Sequence, residues 1–279
     1  MKKQGPKYIK SELNTPMLNY REYYFSMQER LMNLLIGFLG GGVVGLVFYG
    51  GLFRDADGYR TAATYISDII IFVIVGLIGY AVVTPIRKNS LQEKREVILT
   101  KQFRSLLASL ATSLSGGMNM QEAMTAARND LIHEYSKESY IVDEVEEMLA
   151  GTRNNIPLED TIRSFGERSG IEDITNFGIV FAMTFRTGAS LKDVVRRTDD
   201  IIGEKIEIKE QIRTAVTSNR TQFLAMMIVP VGIVMMLRVM SSSFAESFAT
   251  PVGIIANTVA LAIFVVSYFL GTKILDVRV

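Results

Sequence analysis

The sequence predicts an all-α membrane protein: four transmembrane helices with a cytoplasmic six-helix bundle made of two similar helix hairpins plus a middle pair. Three observations carry this. Four long apolar segments, Leu31 to Phe53, Ile69 to Ile86, Phe223 to Met240 and Val252 to Leu270, stand in pairs on either side of a charged block. That block, Arg87 to Arg220, repeats its apolar residues at three- and four-residue steps. Most of the cations fall in the first thirty residues, the block and the tail, and few in the connections within each pair.

Composition narrows the function classes. Hydrophobic residues make up 48% of the 279, with a mean hydropathy of +0.23, and the four segments carry the excess over a soluble protein. A net charge of +1 argues against an extended nucleic-acid surface. With no cysteine there is no disulfide framework, thiol catalysis or thiolate metal site. A single histidine, His133, speaks against a histidine metal site or a Ser-His-Asp triad.

Residues 1–30 form an arm carrying Lys2, Lys3, Lys7, Lys10, Arg21 and Arg30. A basic start before an apolar run suggests a signal peptide, but the run begins too late, is too long and lacks a small-residue cleavage site. Two readings of the arm stand together. Tyr20, Tyr23, Tyr24, Phe25 and Met27 suit an interfacial helix, and about the first fifteen residues suit a loosely ordered tail.

The first pair of spans occupies residues 31–86. Leu31 to Phe53 has no charge and clears the roughly 20 residues that cross a hydrocarbon core. Gly37, Gly41 and Gly45 share one helix face, where another helix of the chain can approach closely. Asp55, Asp57 and Gly58 supply turn chemistry, and Pro85 permits a bend at the end of the second span. The connection 54–68 holds only Arg54 and Arg60 against three aspartates, and Ser241 to Pro251 holds no cation. The positive-inside rule therefore puts both termini and the central domain, residues 87–220, in the cytoplasm.

Within the block, Arg87 to Ser115 reads as one helix, its stripe formed by Ile98, Phe103, Leu106, Leu107, Leu110, Ala111 and Leu114. Gly116 and Gly117 end it, and Asn119 with Glu122 forms a capping box for the next helix, Met120 to about Asp130. Ser139 to Ala150 is a third helix with an acidic outer face of Asp143, Glu144, Glu146 and Glu147, followed by a turn at Gly151 to Asn155. Pro157 opens a fourth, lined by Leu158, Ile162 and Phe165; Gly166 and Gly170 separate it from a fifth, Ile171 to Thr187. Gly188 ends that helix, and Ser190 with Asp193 repeats the cap before a last helix that runs from Leu191 to the membrane. Shifting Gly117 onto Gly188 carries Leu106 onto Phe177, Leu110 onto Phe181 and Met120 onto Leu191, an internal repeat of helix, glycine turn, cap and helix.

The second pair of spans and a short cytoplasmic tail occupy residues 221–279. Arg238 near the end of the third span reads as a snorkelling cation, and Asn257 in the fourth as a bond to a neighbouring helix. No G-x-x-x-x-G-K-[ST] phosphate loop occurs, and His133-Glu134 lacks the second histidine of a zincin. Asp143 to Glu147 reads as a solvated face rather than a cation site. No catalytic, cofactor or metal residues are assigned.

The motifs Leu-Ser-Gly-Gly-Met-Asn-Met-Gln-Glu-Ala (Leu114 to Ala123) and Thr-Gly-Ala-Ser-Leu-Lys-Asp-Val-Val (Thr187 to Val195), with Asn155-Ile-Pro-Leu-Glu159 as a weaker third, resemble the type II secretion system F-domain family. The resemblance covers roughly Thr100 to Leu270. It implies a non-enzymatic inner-membrane platform protein of a type IV pilus-like or type II secretion machine. A single block with four spans looks like the Tad/Flp pilus assembly branch, TadB- or TadC-like, since the general platform proteins usually carry two blocks. The implied partners are a hexameric secretion or pilus ATPase, pilin subunits, membrane lipid, and a second copy or a paralogous platform protein; nucleic acid is not among them. Candidate partner contacts are the capped turns at Gly116, Gly117, Asn119 and Glu122 and at Gly188, Ser190, Lys192 and Asp193. The competing reading is a small transporter or channel subunit with a cytoplasmic regulatory bundle; a third is a membrane-bound signalling component.

Overall fold

The computed structural model describes residues 6–53, 59–187 and 190–275. Apart from one two-stranded antiparallel hairpin, β1 (Tyr8–Lys10) and β2 (Pro16–Leu18), the described elements are helical. They are α1 (Met27–Leu34), a π-helical segment (Leu35–Leu39), α2 (Gly40–Tyr49), α3 (Ala62–Ser115), α4 (Met120–Tyr135), α5 (Tyr140–Arg153), α6 (Leu158–Ser169), α7 (Glu172–Thr187), α8 (Leu191–Met240), α9 (Ser242–Ser247) and α10 (Pro251–Leu275). The chain divides into two compact units. One comprises Met1–Tyr24 with Lys88–Ile208, the other Phe25–Arg87 with Lys209–Val279. Four helical stretches are long and apolar enough to cross a membrane: Met27–Tyr49, Ala62–Ser115, Leu191–Met240 and Pro251–Ile274.

In the first unit the stripes read from the sequence meet in one core. Phe103 packs its ring 5.4 Å from Phe177 and 6.1 Å from Phe165, and Phe177 lies 5.6 Å from Phe181. Positions related by the internal repeat are buried together: Phe103 and Ile174, Leu106 and Phe177, Leu110 and Phe181, Met124 and Val195, Leu131 and Ile202. Equal burial of related side chains lets one hairpin pattern serve twice in a single core.

Several boundaries differ from the sequence reading, each for a local reason. The span and the helix that follows it are one helix, α3, which continues through Pro85. Proline removes one helical donor there, and packing along the rest of so long a helix outweighs that loss. Gly151 lies inside α5 rather than in a turn; a Cβ on it would meet the Thr161 methyl at 2.8 Å, and the turn falls instead at Asn155, with φ +61°. Gly166 lies inside α6, where the missing side chain brings α7 close, a Cβ there falling 3.0 Å from the Thr175 Cα. The acidic face of α5 is not wholly solvated, because Glu144 is buried with 1% exposure.

The first residues differ most. The stretch before α1 is neither an interfacial helix nor a loose tail over residues 6–15. It is the β hairpin followed by a turn at Tyr20 and Arg21 and irregular chain up to Ser26, with Tyr20 in the core. The hairpin register pairs Ile9 with Met17, and the side chain and main chain of Asn19 bond Pro6 and Lys7.

In the second unit the first span begins at Met27, capped by Ser26 and Glu29, and ends at Tyr49, where Gly50 turns extended and Gly51 adopts φ +78°. The expected turn at Asp55, Asp57 and Gly58 lies outside the described residues. Gly37 and Gly41 face α3, where a Cβ on them would lie 2.8 Å from the Tyr80 Cα and the Val75 carbonyl oxygen. From the other side, a Cβ on Gly79 would fall 2.4 Å from the Gly37 carbonyl oxygen. Backbone-to-backbone contact of this kind supplies dispersion energy where lipid leaves little hydrophobic drive for helix association.

Gly79→Ala is expected to cost about 1–3 kcal/mol by overpacking, because its neighbour is backbone and cannot turn aside. Gly40→Ala, which meets nothing within 4 Å, is expected to be neutral. Thermal unfolding of the two variants in detergent, followed by circular dichroism, checks the contrast; equal melting temperatures would remove the case for close α2–α3 packing.

Candidate functional site

The turns singled out in the sequence are helix-capping structures. At the end of α3 the amides of Gly116, Gly117 and Met118 bond the carbonyls of Thr112, Leu114 and Ser113, and Gly117 takes φ +84°. A side chain is strained at that angle, which is why glycine stands there. Asn119 Oδ1 accepts from the Glu122 amide at 2.9 Å, and Glu122 Oε2 accepts from the Asn119 amide at 3.0 Å. In the second turn Ser190 Oγ accepts from the Asp193 amide at 3.4 Å, and Lys192 is exposed; Gly188 lies outside the described residues. No hydrogen bond or ion pair joins the two turns among the described residues.

A second constellation went unread in the sequence. Glu144 of α5 accepts two bonds from Arg168 of α6, Nη1 to Oε1 at 2.7 Å and Nη2 to Oε2 at 2.6 Å. The Tyr20 hydroxyl donates to Glu144 Oε1 at 3.0 Å, while the Tyr20 amide donates to the Arg168 carbonyl at 3.1 Å. All three side chains are buried. Burial, reinforced by the Glu144 charge, holds the Tyr20 phenol well above its ordinary pKa, so it remains a donor. Burial also pushes the Glu144 carboxyl up, against the opposing pull of Arg168 and Tyr20. For Arg168 burial acts downward, but the bond and charge of Glu144 outweigh it and raise its pKa.

The preceding and following residues extend this lock. Ser11 and Thr15 hydroxyls both donate to Glu147 Oε1. Gln92 donates to the Arg21 carbonyl, Arg95 donates to the Glu22 carbonyl and lies over the Tyr23 ring, and Lys88 pairs with Glu22 at 3.1 Å. Beside the hairpin runs an open groove of about 750 Å³ lined by Met17, Leu18, Thr125, Arg128, Glu146 and Arg153 among others.

In the second unit Arg238, read from the sequence as a snorkelling cation, bonds the end of α2. Its guanidinium donates to the carbonyls of Leu46, at 2.9 Å, Val47 and Gly50, and lies 5.0 Å from the Phe248 ring centre. Asn257 of α10 is buried, and its amide donates to the Phe48 carbonyl at 3.4 Å, which matches the helix-to-helix bond expected of it. Carbonyls at the end of α2, where helical donors run out after the Gly50 amide bonds Leu46, are thus met by side chains from α8 and α10. Among the described residues no group of acidic or histidine side chains is arranged to hold a metal ion.

Long apolar helices attached to a compact, polar-capped helical unit define a multi-pass membrane protein. Residues 106–238, just under half of the chain, match the family model of type II secretion system (T2SS), protein F. The match suggests a secretion or pilus platform protein in general terms. The match opens inside α3 and closes at Arg238, short of the fourth span to which the sequence motifs were extended. No curated protein and no solved structure matches the chain.

Glu144→Ala strands the Arg168 charge in the core, and the expected cost is about 3–5 kcal/mol. Joint replacement by Glu144→Leu and Arg168→Met should restore most of that loss; urea unfolding of all three proteins reads both effects. In the second unit, Arg238→Leu removes the side-chain donors from the Leu46, Val47 and Gly50 carbonyls and is expected to cost about 1–3 kcal/mol, with Arg238→Lys intermediate because it cannot fork. Detergent melting curves that overlay for Arg238→Leu and the parent would contradict the capping role.

Proposed function

We propose that this chain is a non-enzymatic inner-membrane platform protein of a Tad-type, type IV pilus-like assembly machine or a type II secretion machine. In this reading a six-helix bundle, two similar hairpins plus a middle pair, lies in the cytoplasm with both termini. It docks on a hexameric secretion or pilus ATPase, through surfaces that include the capped turns. A second copy or a paralogous platform protein completes the assembly, since the chain carries one such domain. Conformational change in the ATPase passes along α8 into the membrane, where pilin subunits are lifted from the bilayer.

The observation that carries this reading is the continuity of α8, Leu191–Met240, which runs unbroken from residues of the first unit into residues of the second. A continuous helix transmits displacement along its axis without spending it on local unfolding, because every added turn is already hydrogen-bonded. The family match supports the setting, as it spans the helical unit and this helix together.

A pair of glycines inserted after Ile208 is expected to abolish pilus assembly or secretion while expression and membrane insertion persist; normal assembly with that insertion rules out the lever. The orientation has its own check in this cysteine-free chain. A cysteine at position 137 should resist impermeant maleimide in intact cells and react after permeabilisation.

A further inference from the structure

We infer that residues 6–24 form a releasable strap, which opens as a unit from the helices it crosses while those helices stay folded. The first ground is size. Its strands are three residues each, and a two-stranded hairpin so short has no stability of its own. The strap therefore stays closed only by what it touches.

Those contacts are few and mostly polar. Of its large side chains only Tyr20 is fully buried, edge-on to Tyr140 and Phe165 at 5.7 and 6.4 Å, and Leu18 is partly buried against the core. Leu13 and Arg21 also lie over Gly151 and Gly170; beyond these come the bonds to Glu147, Glu144, Arg168, Gln92, Arg95 and Lys88 already described, each of which water can replace. The buried Asn19 is satisfied within the strap itself, by Pro6, Lys7 and Arg21, so it travels without losing partners.

The floor beneath the strap is also suited to two states. Were Tyr20 seated on an apolar surface, lifting it would expose that surface to water at a cost proportional to its area. Here lifting exposes part of the Tyr140 and Phe165 rings, but it also uncovers Glu144 and Arg168, and regained hydration offsets part of the desolvation that closure imposes on them. The pair keeps its own two bonds, so α5 and α6 remain joined. One flank of the strap already borders the open groove, which admits solvent to the Met17 and Leu18 side. Segments with small buried area and solvent-reached bonds form the low-stability end of a protein's opening hierarchy.

Opening changes the chain that leads into α1. Closed, that chain is held as far as Tyr23, beside Arg95; open, the whole segment becomes free tether ahead of the Ser26 cap. The inference stands independently of which machine the protein serves.

Hydrogen exchange on the full chain in lipid nanodiscs tests it. Amides of residues 8–20 are expected to exchange at least about 100-fold faster than those in the cores of α5 and α6. Tyr20→Phe keeps the ring but removes the hydroxyl bond to a charged group, and should speed the strap by about tenfold more with α5 and α6 unchanged. Cysteines at Ser11 and Glu147, joined by a short bis-maleimide, should slow the strap toward the α5 rate. Exchange of the strap in step with α5 and α6, or acceleration of all three by Tyr20→Phe, would show a fixed part of the core and overturn the proposal.

Discussion

Glu144 and Arg168 lie on helix faces that otherwise present apolar groups, and the first unit is arranged to satisfy them. Glu144 sits within the stripe of Ile141, Val145 and Met148; Arg168 continues that of Ile162 and Phe165. Neither charge is stable in such surroundings alone, since the desolvation of one unpaired ion exceeds what a neighbouring methylene returns. The guanidinium fork needs its carboxylate in plane and in reach, so the bidentate pair fixes the register of α5 against α6. Tyr20 supplies the third partner, which draws residues far away in sequence into the same contact.

The second unit meets a related demand with different groups. Where water is scarce, a helix that ends must find donors for its last carbonyls. Arg238 and Asn257 provide them to α2, while glycines on α2 and α3 let the two backbones touch. A leucine would suit the apolar run at position 238 but has no donor, whereas the guanidinium fork spreads its donors over the Leu46, Val47 and Gly50 carbonyls. In both units, therefore, a few polar side chains set the fit, and apolar area supplies most of the attraction.

These two kinds of contact differ in how far the sequence reveals them. The four spans, the helix stripes, the Asn119–Glu122 capping box and the bond from Asn257 follow from local spacing, because each depends on neighbours within one turn or on a solitary polar group in an apolar run. The lock was harder to see. Glu144 stands among Asp143, Glu146 and Glu147, and a run of carboxylates on a helix looks solvated unless its phase is checked against Ile141, Val145 and Met148. That phase was the available signal, together with an oppositely charged residue in the stripe of the following helix. The hairpin gave less warning, as its strands are too short for alternation to register, and its stability lies in contacts with Glu144 and Glu147 rather than in its own residues. Arg238 was legible as an unusual charge, but its carbonyl partners on α2 follow only from the fold.

The match to protein F closes at the residue whose side chain caps α2, so the family's portion of the chain includes the cation but not the first span it meets. In the platform reading this matters, because displacement arriving along α8 reaches Arg238 and from there the backbone of α2. Three short bonds to main-chain carbonyls make a stiffer junction than side-chain packing, since main-chain groups cannot rotate away from the load. By contrast the N-terminal segment enters α1 through irregular chain held mostly by water-replaceable bonds. The first span thus combines firm contacts, through Arg238, Asn257 and the α3 glycines, with a yielding entry through the strap.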